Sequence, residues 1–221
     1  MNFIIEVRDL KIGISFSLFE KYLIKRRVQV LNLFLDIMKP GSMDSCLEIG
    51  GPTLYMPEIA YRFSEFIVIN MDEKFLTNNR TFYDNTSSLF VADGCHLPFA
   101  DKSVDFIFGN AVLEHVSQEQ RQKFTGEIKR VCRKGFFLAN DNHWFPLDPH
   151  YLVPCYQFLP HKFKKFVSRY VSFKWMPKGT YEEINLLTIK EYRKLFPGAN
   201  YQGLRFPFSP IAESIIVWNK N

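Results

Sequence analysis

Short apolar runs alternate with segments of helical spacing from residue 16 to residue 140 of this chain. Apolar side chains at helical spacing over 16–39 predict a helix that Pro40-Gly41 ends. Two further helices are predicted at 57–63 and 118–132. The remaining apolar runs predict five buried strands, at 45–50, 65–72, 88–93, 104–109 and 135–140. This alternation favours an α/β fold, with a parallel sheet covered by helices on both faces.

The pattern changes after the fifth predicted strand. Residues 141–187 are rich in proline, aromatic and basic residues and have poor periodicity, so we expect a lid or substrate-recognition insertion there. Thr188 is the expected N-cap of a helix over 188–196. Two final strands are predicted at 201–206 and 213–218. We expect all 221 residues to form a single domain that includes these segments.

Composition narrows the class of protein. The apolar fraction of 47% is enough for a full core, and the aromatic fraction of 16% argues against disorder. The net charge of +5 is not concentrated in long runs, so nucleic acid is not an expected partner. The first residues carry no cleavage-site pattern, so we expect a cytoplasmic protein without a signal peptide. No two of the four cysteines have C-x-x-C spacing; we therefore expect reduced thiols and no metal site.

Acidic and glycine residues stand at the ends of the predicted strands. Glu48 and Gly50 close the first strand, Asp72 the second and Asp93 the third. Ligands of parallel α/β sheets bind beside the carboxyl ends of the strands. A Leu-Pro-Phe segment and a Leu-Glu-His-Val segment follow, at 97–99 and 113–116. These features predict one ligand site along this edge of the sheet.

The strand-end acids and these two segments together resemble class I S-adenosylmethionine-dependent methyltransferases, and most closely the group that includes the ubiquinone and menaquinone enzymes. The resemblance implies a Rossmann-like three-layer sandwich. Its sheet would have seven mostly parallel strands and a C-terminal antiparallel hairpin. It also implies methyl transfer from S-adenosylmethionine to a small-molecule acceptor.

The resemblance assigns the cofactor contacts residue by residue. Backbone near glycine can approach the amino-acid tail closely, a carboxylate can accept the ribose hydroxyls, and a further acid can accept from adenine. By resemblance, the cofactor-binding residues are Glu48, Gly50, Gly51, Met71, Asp72, Asp93, Gly94, Asn110 and Ala111. The chain departs from the family at 52 and 54, where proline and leucine replace the usual glycines. Read from the residues alone, Asp72 and Asp93 could equally be helix N-caps or turn residues.

Three histidines are candidates for acting on the acceptor. His115 follows the fourth strand and could be a base, or a helix-end residue packed on the sheet. His143 and His150 lie in a segment resembling bacterial methyltransferases of cell-surface glycan or lipid pathways, which carry Asn-x-Trp-Phe-Pro there. This resemblance suggests a sugar or lipid-linked glycan hydroxyl as the acceptor. Trp144 and Phe145 could line the acceptor pocket or only hold the lid closed.

Residues 161–178 carry six basic residues, no acid and several aromatic residues. The segment could contact anionic lipid or a phosphorylated substrate, could bind RNA, or could be a helix with an aromatic core face. Two other functions also stay open. A non-catalytic binding or scaffold protein would explain the altered glycine turn. A nicotinamide-dependent dehydrogenase is less favoured, because the chain lacks a G-x-G-x-x-G turn.

Overall fold

The computed structural model of the chain describes residues 18–51, 57–80, 87–147, 150, 153–170, 181, 183–205 and 209–220. Helices and strands alternate through most of this length. The helices are α1 (Leu18–Met38), α2 (Pro57–Ala60), α3 (Glu73–Asn79), α4 (Arg121–Val131), α5 (His161–Tyr170) and α6 (Ile189–Leu195). The strands are β1 (Ser45–Ile49), β2 (Glu65–Asn70), β3 (Ser87–Val91), β4 (Val104–Asn110), β5 (Cys132–Asp141), β6 (Asn200–Arg205) and β7 (Ala212–Lys220).

The described strands form one seven-stranded sheet in the order β3-β2-β1-β4-β5-β7-β6. β1 to β5 pair with one another in parallel. β7 pairs antiparallel with both β5 and β6, which makes the C-terminal hairpin. The chain turns outward from β1 in both directions, so the crevice between β1 and β4 is a switch point in strand order. The expected fold class is confirmed.

Apolar side chains of the helices pack against both faces of the sheet. Leu31, Phe34 and Met38 of α1 pack with Phe108 and Phe137 on one face. On the other face, Phe124 and Ile128 of α4 and Tyr192 of α6 pack with alternate residues of β1 and β4. Side chains of a strand point alternately to opposite faces, so one continuous apolar run serves both layers. This gives the three-layer arrangement.

Several element boundaries differ from those the sequence predicts. α4 begins at Arg121 and not at 118, because a turn at Ser117 precedes it. β5 begins at Cys132, three residues early, and the exposed Arg133 and Lys134 of this strand pair with the buried Asp105 of β4. α3 is not predicted by the sequence at all. The predicted residues 16, 17 and 206 lie outside the described residues.

The segment after β5 has a small core of its own. Tyr156, Ile184 and Leu186 pack together, with Val167 of α5 partly buried against them. That this segment is a substrate-recognition lid stays a prediction. In the described part of the chain, no helix has the length and apolar character needed to cross a bilayer.

Candidate active site

The carboxyl ends of four parallel strands meet along one edge of the sheet. Ile49 of β1 lies beside Ile69 of β2 and Gly109 of β4, and Asn70 pairs with Val91 of β3. Every loop that leaves these strands therefore starts at the same edge. The predicted cofactor residues lie on these loops or among the last residues of the strands.

The loop after β1 is a tight turn made by two glycines. Gly50 has a φ of 76°, a left-handed conformation that favours glycine. A Cβ added there would lie 2.6 Å from the Val112 side chain. The Asn70 side-chain amide donates hydrogen bonds to the carbonyl oxygens of Gly50, at 3.2 Å, and Gly51, at 2.6 Å. The turn is thus fixed by β2 and by the loop after β4. The atypical positions 52 and 54 lie outside the described residues.

Glu48 lies directly beneath this turn. Its side chain is fully buried in β1. A Cβ on Gly51 would lie 2.6 Å from the Glu48 carboxyl carbon and 2.7 Å from a Val68 methyl. Only glycine fits at position 51 without moving these groups. The turn and the buried carboxylate therefore form one packed unit at the end of β1.

Asp72 lies at the end of β2 and is exposed. Its Oδ1 accepts hydrogen bonds from the backbone N–H groups of Lys74, at 2.9 Å, and Phe75, at 3.2 Å, so it is the N-cap of α3. The sequence leaves open that Asp72 is a helix N-cap, and the structure shows that it is one. Capping by one oxygen leaves a carboxylate that can also accept from a ligand at the sheet edge. Met71, beside it, is 71% exposed.

Asp93 is held in a tight turn after β3. Its Oδ1 accepts the backbone N–H of Cys95 at 2.8 Å, and its Oδ2 lies 3.0 Å from His96 Nδ1. The Cys95 N–H, followed by His96, lowers the pKa of Asp93, so its carboxylate is ionised at neutral pH. A Cβ on Gly94 would lie 2.6 Å from the Phe124 ring, because the turn packs directly on α4.

The loop after β4 begins with an uncommon backbone conformation. Ala111 has a φ of 53°, which non-glycine residues seldom adopt, and its N–H donates to the Ala139 carbonyl at 2.7 Å. Asn110 is half-buried at the strand end. The turn brings Val112 against Gly50. Residues after β4 thus form one wall of the crevice over β1.

A polar cluster lies just past this wall. Leu113–His115 is a 3-10 turn whose Leu113 N–H donates to Asn140 Oδ1 of β5 at 3.2 Å. The rings of His115 and His150 meet edge to face, with centroids 5.4 Å apart. Glu114 is fully buried, and burial raises its pKa to about 7; Asp141 acts in the same direction, and the two histidines oppose it. The structure therefore brings two of the three candidate histidines together beside a carboxylate.

The third histidine lies in an aromatic cluster. The His143 ring is 5.1 Å from the Trp144 ring and 5.3 Å from the Phe158 ring, and Trp144 and Phe158 are 57% and 49% exposed. The Gln157 side chain fixes the underlying loop by donating to the carbonyl oxygens of His143 and Phe145. Phe145 is buried, whereas Trp144 presents its ring to solvent. Phe145 is thus a packing residue, and Trp144 is available to contact a ligand.

Comparison with known proteins identifies a family for part of the chain. Residues 47–139 match the model of a methyltransferase domain family. These residues are a methyltransferase domain. They run from β1, through the glycine turn and the strand-end acids, to the end of β5, and include the Leu-Glu-His segment. No curated protein matches the sequence of this methyltransferase.

Solved structures share the methyltransferase fold at low sequence identity. A SAM-dependent methyltransferase from Methanosarcina mazei is 15% identical and aligns with 85% of this chain and 96% of its own, with a TM-score of 0.61. One from Mesorhizobium loti is 12% identical, with 87% and 98% aligned and a TM-score of 0.60. Phosphoethanolamine N-methyltransferase 2 from Haemonchus contortus, in complex with S-adenosyl-L-methionine, is 14% identical, with 80% and 38% aligned and a TM-score of 0.55.

These comparisons confirm the expected class I methyltransferase fold. They also confirm, at the level of the family, that S-adenosylmethionine is the methyl donor of this class. The closer resemblance to ubiquinone and menaquinone enzymes, and to the glycan-linked subset, stays a prediction. So do the individual cofactor and catalytic residues of the methyltransferase.

Sequence reasoning missed two residues of this methyltransferase site. Asn70 organises the glycine turn, and its only signal is a polar residue ending an apolar strand. Glu114 stands out in the sequence only as part of the 113–116 segment, next to His115. Its complete burial depends on β5 and on residues near Asn185, whose N–H donates to the Glu114 carbonyl at 2.9 Å. Neither neighbour is close to it in sequence.

Proposed function

We propose that this methyltransferase transfers a methyl group from S-adenosylmethionine to a hydroxyl of a sugar or lipid-linked glycan. The observation that carries this proposal is the half-exposed ring cluster of His143, Trp144 and Phe158 beyond the end of β5. Exposed aromatic rings offer the flat apolar surface on which the C–H face of a sugar packs. The nearby imidazoles offer hydrogen-bond partners for its hydroxyls.

The residues at the cofactor edge suit the methyl donor. The Gly50-Gly51 turn carries no side chains of its own, and Gly50 is exposed, so the amino-acid tail could approach the backbone there. Asp72 and Asp93 place carboxylates at the ends of neighbouring strands, where the ribose hydroxyls and the adenine amino group require acceptors. Glu48, Asn110 and Ala111 complete the proposed set around the turn, with Gly94 and Met71 beside the acids.

When bound, S-adenosylmethionine supplies a methyl group on a positively charged sulfur. The acceptor oxygen forms the new O–C bond as the C–S bond breaks, the bonding pair returns to sulfur, and the hydroxyl proton leaves. The chain's own residues have two tasks: to hold the hydroxyl in line with the methyl group and to take up its proton. In our proposal, one of the two imidazoles, His115 or His150, accepts that proton, and His143 positions the acceptor.

The exposed face of α5 supports a lipid-linked acceptor. Phe163 and Phe166 are 61% and 55% exposed, so they are not the aromatic core face considered from the sequence. Lys162 and Lys165 are exposed on the same helix, and 171–178 lie outside the described residues. Exposed phenylalanines beside lysines suit an anionic membrane surface or a phosphorylated carrier lipid.

Methyl-labelled S-adenosylmethionine and cell extract test this function. We expect label in an O-methyl sugar after acid hydrolysis, in a product that partitions into organic solvent before hydrolysis. A water-soluble labelled sugar would contradict the lipid-linked form. Label found only in protein or RNA, or S-adenosylmethionine binding without any transfer, would overturn the proposal.

A substitution in the aromatic cluster sharpens the same assay. Trp144→Ala should raise KM for the acceptor about tenfold and leave the affinity for S-adenosylmethionine unchanged, because it removes only acceptor packing. Phe90→Ala is the matched control, since Phe90 is an aromatic residue of β3 that is 49% exposed. Equal effects of the two substitutions would remove Trp144 from the acceptor site.

A further inference from the structure

Glu114 is a buried carboxylate without an evident internal partner. Its side chain is fully buried, and within the described part of the chain neither carboxylate oxygen accepts a hydrogen bond. A buried carboxylate usually has a cationic or hydrogen-bonding partner, because removing it from water costs several kcal/mol. Arg121 of α4 acts electrostatically on Glu114, but its guanidinium donates its hydrogen bonds to the carbonyl oxygens of Val116 and Asn185 and forms no ion pair with Glu114 among the described residues.

Two imidazoles lie beside this carboxylate. One potential ligand atom from each of Glu114, His115 and His150 lies within 4.8 Å of the other two. The residues come from the loop after β4 and from the segment after β5, so the cluster is built only in the folded chain. His115 is exposed and His150 is half-buried, so the cluster can be reached from solvent.

We propose that Glu114, His115 and His150 bind one divalent transition-metal ion, such as Zn²⁺ or Mn²⁺. One carboxylate and two imidazoles are a donor set that suits such ions. A modest closure of the cluster would bring the three ligands to normal coordination distances of about 2.0–2.2 Å. The expectation of no metal rested on cysteine spacing, and this cluster contains no cysteine.

Other buried charged groups surround the cluster. Asp141 is a second acid near Glu114, but it is paired with Arg26. Arg121 also acts on Glu114, so the assignment rests on the three donors of the cluster itself. Tyr192 is also fully buried and acts electrostatically on Glu114. With three protein ligands, one position of a four-coordinate ion would stay open, on the side where His115 is exposed.

The role of the ion rests on the proposed methyl transfer to a hydroxyl. The acceptor hydroxyl would occupy the open position, where a divalent ion lowers its pKa. Because both imidazoles would then be ligands, the proton would pass to solvent instead of to His115 or His150. The oxygen forms the bond to the methyl carbon, and the C–S bond breaks with its electron pair on sulfur. The products are the methyl ether and a neutral thioether, so no oxidant or further reactant is needed.

Metal binding is measured directly, without acceptor or methyl donor. Tag-free protein treated with chelator is titrated with Zn²⁺ by calorimetry and with Mn²⁺ by electron paramagnetic resonance. We expect one ion per chain, and at least tenfold weaker binding for Glu114→Gln, His115→Ala and His150→Ala. His161→Ala is the matched control, because this histidine lies on α5 outside the cluster.

Thermal unfolding and titration with S-adenosylmethionine show whether each variant still folds and still binds the methyl donor. Glu114→Gln should unfold cooperatively and bind S-adenosylmethionine within about twofold of the parent chain. If no ion binds at one per chain, or if all variants bind the ion equally well, the proposed metal site is wrong, and the proposal of methyl transfer is unaffected. An ion that binds but leaves the transfer rate unchanged would overturn its role at the acceptor. Failure of transfer with the ion bound would instead count against the proposed function.

Discussion

Asp72 combines an observed structural role with a proposed binding role. Its Oδ1 caps α3 through the N–H groups of Lys74 and Phe75. Its position at the end of β2 is also the one where the proposed site needs a ribose acceptor. Replacing it with alanine would remove both roles at once. Asparagine keeps a cap oxygen and removes the charge, so it separates the two.

Asp72→Asn should therefore weaken S-adenosylmethionine binding about tenfold with little change in stability. Hydrogen bonds to a charged acceptor contribute about 1.5–3 kcal/mol, and tenfold corresponds to about 1.4 kcal/mol. Calorimetric titration with S-adenosylmethionine and S-adenosylhomocysteine measures the affinity. Glu73→Gln is the control, because it removes the same charge from the next, exposed position. Unchanged affinity in Asp72→Asn would exclude this carboxylate from the site.

At the scale of elements, whether the sequence predicts a short helix depends more on the capping residues at its ends than on its length. α3 has seven residues and buries only Leu76, so it has almost no periodic signal in the sequence. α6 also has seven residues, but its start is clear because Thr188 and Glu191 form a reciprocal capping box. The sequence predicts α6 and misses α3 for this reason. α6 places Tyr192 in the core, beneath the polar cluster.

Thr188→Ala should destabilise the protein by about 1 kcal/mol, since it removes one half of the capping box. Urea unfolding followed by circular dichroism gives the free energy of unfolding. Thr188→Ser keeps the hydroxyl that accepts the Glu191 N–H and should retain most of the stability. If serine and alanine destabilise the protein equally, the lost methyl group and not the cap is the cause.

On the scale of the whole molecule, α1 is joined to the C-terminal hairpin by a buried charge network. Arg26 lies 3.4 Å from Asp141 of β5 and 3.1 Å from Glu213 of β7, and all three side chains are about nine-tenths buried. Tyr22 donates a hydrogen bond to Glu213. Burial raises the pKa of Glu213, and Arg26 opposes this shift. Asp141 also lies near Glu114, so α1 reaches the surroundings of the proposed metal site.

Arg26→Met should cost about 3–5 kcal/mol at pH 7, because it leaves two buried carboxylates without their cation. Without Arg26, the folded-state pKa of Glu213 rises further above its unfolded value. Stability is then lost as pH rises through that pKa, so the deficit should be larger at pH 8 than at pH 5. Unfolding at both pH values measures it. Lys25→Met, an exposed neighbour, should change stability little; a pH-independent deficit in Arg26→Met would contradict the argument.

The sequence by itself determined the sheet, the glycine turn and the acids at the strand ends. These follow from local patterns: apolar runs of strand length, Gly50-Gly51, and a polar residue where each run stops. The tertiary structure alone decided that Glu114 is buried and that His150 lies beside His115. Their proximity depends on parallel pairing of β4 with β5, which brings the loops after both strands to one edge. A side chain's burial and neighbours arise from such long-range pairing, which no local pattern encodes.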